Sequence, residues 1–243
     1  MKSSKTSKTA IVTGSEGQLG RAFVSKLVDL NYRVVTFDIL SKPKNNHTDY
    51  HQVDITKPER TKKVLSGLKG EIAVLINNAG VAVFSPFEER TEEELDYVID
   101  VNVKGTIFMS QLVFNMFFKP QKRGCIVNLG SIYGVVAGDM RIYTDGDRRT
   151  SEIYGATKAA VIQLTKYFAA YMAPYNVRVN CISPGGVFNH QNSEFVRRYS
   201  TKVPAGRMGY EKELLSTLEY LISSKSTYLT GQNIVVDGCF TAW

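Results

Sequence analysis

The chain has 243 residues, 43% of them apolar, which fits one α/β domain with a sizeable core and excludes a disordered chain. Apolar runs such as Ala73–Ile76 and Ile234–Val236 are far too short to cross a bilayer, and no apolar signal-peptide core follows the polar start Met1–Thr9. Thirty Lys and Arg against 23 Asp and Glu give a net charge of +7, which raises nucleic acid as a partner, but the excess is scattered and no dense basic run interleaved with aromatics occurs. Lys2, Lys5 and Lys8 lie in a Ser/Thr-rich leader. A solvated basic surface, or attraction of an anionic small molecule, is expected instead. Cys125, Cys181 and Cys239 make no disulfide framework and lack zinc-ligand spacing, so the expectation is no metal and a reducing, cytoplasmic setting.

Thr9–Val12 is a short apolar strand ending in a glycine-rich turn, and Arg21–Leu30 reads as a helix with Ala22, Phe23, Leu27 and Leu30 on one side. Val34–Phe37 is a second strand and His51–Val53 a weaker third. Glu59–Leu68 is helical through Val64, Leu65 and Leu68, and Ala73–Ile76 is wholly apolar, as strands covered on both faces are. Thr91–Phe118 keeps helical periodicity and opens on Thr91 and Glu94 at capping-box spacing. Cys125–Leu129 and Val177–Ile182 are strands on either side of a long helix, Ile153–Ala173, which Pro174 stops. Ser193–Val203 reads as a short lid helix with Phe195, Val196 and Tyr199 facing inward. Glu211–Leu221 is a helix and Asn233–Val236 the last strand. This alternation predicts a single-domain Rossmann fold of the α/β class over residues 9–243: a doubly wound seven-stranded parallel sheet with helices on both faces, after a flexible polar leader over 1–8. Val135–Glu152 and Phe188–Gly209 fit the alternation poorly.

Thr13-Gly14-Ser15-Glu16-Gly17-Gln18-Leu19-Gly20 joins the first strand to the first helix. Glycines there permit a tight turn and let backbone N–H groups approach a pyrophosphate, while the helix N-terminus adds its positive dipole end. Asp38 ends the second strand 18 residues beyond Gly20. A carboxylate at that place either accepts hydrogen bonds from an adenosine ribose and repels a 2′-phosphate, or merely caps a turn. The turn upstream favours the ribose role and NAD as the cofactor. Lys42 and Lys44 lie near enough to weaken that preference, so NADP stays open.

At this point the chain resembles the short-chain dehydrogenase/reductase family. The resemblance rests on Thr13–Gly20, Asp54-Ile55, Asn77-Asn78-Ala79-Gly80, Asn102 in Val-Asn-Val-Lys-Gly, Ser131, Tyr154-Gly155-Ala156-Thr157-Lys158, Pro184-Gly185 and Val236-Asp237-Gly238, in family order over nearly the whole chain. Length and the single active-site helix look like the compact branch. One detail departs: that branch usually has the turn TGxxxGxG, whereas this chain has TGxxGxxG, with Gln18 where the middle glycine would stand.

Tyr154 and Lys158 are four residues apart and so project from one helix face. A phenol is a poor base at neutral pH, and a close ammonium favours its phenolate. Tyr154 can then exchange a proton with a substrate hydroxyl or carbonyl while hydride moves to or from nicotinamide. The resemblance implies that Ser131 orients the substrate oxygen, that Lys158 also binds the nicotinamide ribose, and that Asn102 holds a water in a relay with Lys158. A structural role for Asn102, bridging a helix kink to a neighbouring strand, is open beside that. The cofactor residues it implies are the turn itself (Gly14, Ser15, Glu16, Gly17, Gln18, Leu19, Gly20), Asp38, Asp54 and Ile55 at the adenine, and Asn78, Ala79 and Gly80 beside its ribose. Tyr154, Lys158, Pro184, Gly185 and Val187 would meet the nicotinamide end, with the backbone at Val187 on the carboxamide.

Ser131 and Tyr154 are 23 residues apart, further than is usual in the family, so the stretch Val135–Ser151 contains an insertion beside the pocket. It has few apolar anchors, and its Arg141, Arg148 and Arg149 forks suit phosphate or carboxylate, unless they pair with its own Asp residues. Substrate contacts are expected from Ser131, Tyr133, Arg141, Arg148, Gly186 and His190, although His190 reads equally well as a surface histidine. The insertion and the segments Ser-Ile-Tyr-Gly-Val-Val-Ala and Pro-Gly-Gly-Val-Phe are similar to oxidoreductases of flagellin modification and bacterial surface-sugar synthesis. That implies a polar substrate derived from an amino sugar, sugar phosphate or sugar nucleotide. The alternatives are an NADPH-dependent 3-oxoacyl-carrier or general carbonyl reductase, and a non-catalytic dinucleotide sensor. The family commonly self-associates, so a homodimer or homotetramer is expected, with Ile162, Phe168, Tyr171, Phe240 and Trp243 as surface candidates, although a buried core face explains many of them equally well. The sequon Asn46-His47-Thr48 has no force in a cytoplasmic protein.

Overall fold

Seven parallel strands form one sheet in the order β3-β2-β1-β4-β5-β6-β7. The computed structural model describes residues 8–43, 49–144 and 149–243. The strands are β1 (Thr9–Thr13), β2 (Arg33–Asp38), β3 (Asp49–Gln52), β4 (Ile72–Asn77), β5 (Gly124–Leu129), β6 (Val177–Pro184) and β7 (Asn233–Val236). The helices are α1 (Gln18–Asp29), α2 (Pro58–Ser66), α3 (Glu92–Ile99), α4 (Thr106–Val113), α5 (Lys119–Gln121), α6 (Glu152–Met172), α7 (Ser193–Ser200) and α8 (Glu211–Ile222). Because side chains alternate across a strand, each apolar run feeds two cores. Ile11, Leu75 and Ile126 pack with Leu65 of α2, Met109 of α4 and Phe168 of α6. Ala10, Val12, Val74, Ile76 and Val127 pack with Phe23 and Leu27 of α1 and Leu214 and Leu218 of α8. The strand order reverses between β1 and β4, which opens a crevice at their carboxyl ends.

Three local departures from the sequence reading bear on the site. First, α1 begins three residues before Arg21, with Gly17 as its N-cap, so the glycine turn runs directly into the helix. Second, the expected single helix from Thr91 is interrupted by π-helical turns at Asp100–Gly105 and Phe114–Phe118, although its capping box is present. A Cβ on Gly105 would lie 2.6 Å from Ile55 Cδ1, so a side chain there would block this close packing. Third, the insertion is anchored. Ile142 is buried with Ile132, Tyr199, Val203 and Met208, and Tyr133, Tyr143, Phe195 and Phe240 close around them. Lys202 pairs with Asp139 at 3.0 Å, and Arg198 donates to the Arg141 carbonyl, which fastens the insertion to α7. Hydrogen bonds from Arg141 hold the Asp139 carboxyl well below the usual range.

Two of the surface candidates pack inward, as the core alternative allowed. Phe168 belongs to the main core, and Phe240 stacks on Tyr199 at 5.3 Å between centroids. Tyr171 and Trp243 are exposed. The expected leader lies outside the described residues except for Lys8, whose carbonyl accepts from Arg33 N. Among the described residues, no helix is long and apolar enough to cross a membrane.

Cys125 and Cys181 are buried, and burial pushes each thiol up to about 11, whereas Cys239 is exposed. Only the thiolate is an efficient nucleophile. Iodoacetamide at pH 8 is therefore expected to add to one thiol of the native protein and to three in denaturant, read by intact mass. Two or three adducts on the native protein would contradict this burial. Both raised groups also work in one direction: the stability they contribute is present below pH 9 and is lost as the pH rises through about 11.

Candidate active site

Gly14 has φ +63°, a left-handed conformation, and a Cβ on it would lie 2.7 Å from Ala79 Cα. A Cβ on Gly20 would lie 2.1 Å from the Gly14 carbonyl oxygen, so this glycine lets α1 sit against the turn. Asn78 Nδ2 donates to the Thr13 and Gly14 carbonyls at 3.1 and 2.8 Å, and Thr13 Oγ1 accepts from the Asn78 and Ala79 N–H groups. The end of β4 and the turn are thereby fixed together, and a Cβ at Gly14 would push Ala79 and a Cβ at Gly20 would push the turn backbone out of this packing.

The crevice has two halves. A cavity of 620 Å³ is lined by Gly14, Glu16–Leu19, Asp38, Asp54, Ile55 and Asn78–Gly80. A second of 420 Å³ is lined by Ser131, Tyr154, Lys158, Pro184, Gly185 and Val187, and Gln18 and Leu19 belong to both. In the first half, Asp38 Oδ2 accepts from Glu16 N at 2.9 Å and Oδ1 from Leu40 N at 3.2 Å. Glu16 itself is only 2% exposed. Burial, and after it the charges of Asp38 and Glu16, raise the Tyr50 phenol above its ordinary value. Lys42 is exposed and lies outside that lining, and Lys44 lies outside the described residues. Asp54 Oδ1 accepts from Thr56 N and Oγ1 at 2.9 and 2.7 Å, so this oxygen caps its own turn.

In the second half, Ser131 follows β5 and its Oγ accepts from Tyr133 N at 3.1 Å. Ser151 caps α6 by accepting from Tyr154 N, which sets the helix turn that carries Tyr154 and Lys158. Lys158 is 5% exposed, and its Nζ donates to the Leu129 carbonyl at 2.8 Å and lies 5.6 Å from the Tyr154 ring centroid. One of its three N–H bonds is thus committed. Asn102, on the π-helical turn, accepts from Val81 N at 2.8 Å and donates to the Val81 carbonyl and Thr157 Oγ1, each at 3.0 Å. Asn102 thus bridges the π-helical turn to the loop after β4 and to α6 rather than to a strand. A Cβ on Gly80 would lie 3.3 Å from both Asn102 Oδ1 and Lys158 Nζ, so the two converge on that glycine.

A smaller cavity of 210 Å³ adjoins this half, lined by Ser131, Tyr133, Tyr143, Tyr154, Gly186, Gln191, Phe195, Tyr199 and Met208 among others. The Tyr133 and Tyr143 hydroxyls are 3.1 Å apart, and burial is the main force that raises both phenols above their ordinary value. Tyr199 Oη accepts from Gly186 N, and its ring is 2.6 Å from where a Gly186 Cβ would stand. The Val187 bridge to Gly209 uses the Gly186 carbonyl and the Phe188 N–H, while the Val187 carbonyl accepts from Gln191 Nε2 at 3.0 Å.

A family model described as enoyl-(acyl carrier protein) reductase matches residues 18–241. The chain belongs to the short-chain dehydrogenase/reductase family. These are oxidoreductases of alcohol and keto groups. The chain is 32% identical to the NAD-dependent glycerol dehydrogenase of Listeria innocua, covering 97% of this chain and 94% of that one. It is 29% identical to the 3-oxoacyl-[acyl-carrier-protein] reductase of Thermotoga maritima, covering 95% and 96%. A crystal structure of a short-chain dehydrogenase from Leptospira borgpetersenii with bound NAD+ superposes with a TM-score of 0.91 at 42% identity, covering 97% of this chain and 93% of that one.

Within this short-chain dehydrogenase, two expected substrate contacts are corrected. Arg141 is exposed and forms a two-pronged pair with Asp139 through Nε and Nη2, each at 2.8 Å, because its own loop supplies the carboxylate. His190 is exposed at φ +57° with its ring against Phe188, and it lines neither the 420 Å³ nor the 210 Å³ cavity. Arg148 lies outside the described residues. Sequence reasoning missed Tyr143 as a pocket residue. Its signal was present, an aromatic beside Ile142 in an otherwise polar insertion, but the charged residues around it drew the reading to the surface.

Proposed function

We propose that this short-chain dehydrogenase uses NAD to interconvert an alcohol and a ketone on a small, neutral, hydroxylated substrate of sugar or polyol type. The observation that carries the reading is the 210 Å³ pocket, whose described lining holds the Ser131 and Tyr154 hydroxyls, further phenols and an amide, and no charged side chain. An anionic group buried there without a cation would cost several kcal/mol. Ligand pockets for larger molecules run to about 300–1,000 Å³. Small size and neutrality therefore favour a polyol or keto sugar over a sugar phosphate, a sugar nucleotide or a long acyl chain. The relative named a glycerol dehydrogenase supports the same class.

The glycine cradle fits a dinucleotide pyrophosphate at the N-terminus of α1, and Asp38 fits an unphosphorylated ribose. The nicotinamide, when bound, accepts or supplies the hydride. The chain's own residues handle the oxygen and its proton. Ser131 Oγ already accepts from Tyr133 N, which leaves its O–H to donate to the substrate oxygen. Tyr154 Oη gives or takes the proton, and the Lys158 ammonium lies 5.6 Å from its ring centroid. Asn102 holds Val81 and Thr157, and with Lys158 it forms the far end of a proton path past Gly80. The exposed Tyr167 and Tyr171, stacked at 6.1 Å on α6, favour self-association, and three free thiols favour the cytoplasm.

The test is a turnover panel with NAD and NADH over neutral polyols and ketoses, sugar phosphates, and β-keto thioesters. Turnover of the neutral class is expected. Preference for thioesters would move the enzyme to the acyl-carrier reductases, and preference for phosphates would overturn the neutral pocket. On the preferred neutral substrate, Tyr143→Phe removes one hydroxyl of the Tyr133 pair and is expected to raise KM about tenfold with little change in kcat. An unchanged KM would remove Tyr143 from the substrate contacts.

A further inference from the structure

Gln18 opens α1 directly after the glycine turn, and its side chain reaches across the crevice. Its Nε2 donates to the Phe188 carbonyl at 2.6 Å and to Glu211 Oε1 at 2.8 Å. Both partners can only accept, so chemistry fixes which end of the amide faces them, and both its protons are committed. The partners belong to two separate elements of the opposite wall. Phe188 follows Gly186 and Val187, which line the 210 Å³ pocket, and Glu211 opens α8. Gln18 also lines both halves of the crevice. One side chain thus leaves the phosphate-side helix between the two halves and fastens the substrate-side wall.

We propose that Gln18 is a cross-groove clasp that couples closure of the dinucleotide groove to placement of the 186–191 wall of the substrate pocket. The proposal rests on the dinucleotide reading above. A glycine at position 18 could make neither bond, so the departure from the compact-branch turn carries a gain: cofactor exit and substrate-wall order become one event. Gln191 strengthens the wall that the clasp holds, since its Nε2 donates to the Val187 carbonyl and its Oε1 accepts from Asn189 N. A rigid wall passes the pull of Gln18 at Phe188 on to Gly186 and Val187.

The experiment measures NADH release by stopped-flow fluorescence, with excess NAD as displacer, in the wild type, Gln18→Ala, Glu211→Ala and the double variant. Amide hydrogen exchange of residues 186–191 is followed in the protein without cofactor. Each single variant is expected to release NADH about tenfold faster. The double variant should release it no faster than the faster single, because both remove the same link. Exchange at 186–191 should rise while β1, β4 and β5 keep their protection. Gln18→Glu keeps the side-chain size, lacks the donors and sets two carboxylates together. It is expected to behave as Gln18→Ala does and guards against a fold defect in the smaller variant. Release within about twofold of wild type in both Gln18 variants, or multiplied effects in the double variant, would overturn the clasp alone. A wild type that binds no NADH would overturn the dinucleotide reading itself.

Discussion

Tyr154→Phe is expected to lower kcat by about 10³-fold while leaving NADH affinity and thermal stability close to those of the wild type. The substitution removes one oxygen and keeps the ring that Lys158 faces at 5.6 Å. The helix turn is unaffected, because Ser151 caps it through the Tyr154 backbone N–H and not through the side chain. Lys158→Met is expected to be as damaging to turnover and, unlike Tyr154→Phe, to weaken NADH binding as well. Its ammonium is almost fully buried and holds the Leu129 carbonyl, so its loss removes a charge and strands an acceptor. The pair of variants is read by steady-state kinetics and by NADH fluorescence titration. Turnover of a correctly folded Tyr154→Phe at the wild-type rate would sink the proton-exchange role. Full NADH affinity in Lys158→Met would leave Lys158 a role in the proton path only.

The wild type is expected to bind NADH about 100-fold more tightly than NADPH, and Asp38→Asn to erase most of that ratio. Two carboxylates, Asp38 and the nearly buried Glu16, face the first half of the crevice, and a 2′-phosphate placed there would meet both. Like charges juxtaposed in this way cost several kcal/mol. Asp38 also has a structural duty, since its two oxygens accept from Glu16 N and Leu40 N. An amide can serve only one of them, so Asp38→Asn should also lose about 1 kcal/mol of stability. Parallel titrations of both variants with both cofactors separate the effects: the stability loss lowers both affinities, and the charge loss moves them in opposite directions. Equal wild-type affinities for the two cofactors would overturn the Asp38 role and bring the NADPH-dependent carbonyl reductase reading forward.

Much of this molecule was legible one residue at a time. Apolar runs such as Ala73–Ile76 are long enough for a strand and too uniform for a half-exposed one, which is why the parallel doubly wound sheet followed from pattern alone. The four-residue spacing of Tyr154 and Lys158 is enough to put them on one helix face, since helical periodicity is local. The π-helical turns were not legible. Their residues keep helical periodicity, and the widening depends on packing against Ile55 and on the Asn102 bonds to Val81 and Thr157, which are distant in sequence.

The insertion shows the same limit from the other side. Its arginines matched an anion site by residue type, but type does not say which carboxylate lies nearest. Asp139 took Arg141, and Ile142 drew the loop inward beside Tyr199 and Met208. That inward turn brought Tyr143 to Tyr133 and left the described pocket lining without a charge. Gln18 is the sharpest case. The sequence determined that a glycine was missing from the turn. What the replacing side chain does follows from folding, because its two partners lie 170 and 193 residues away, where no local propensity or periodicity reaches.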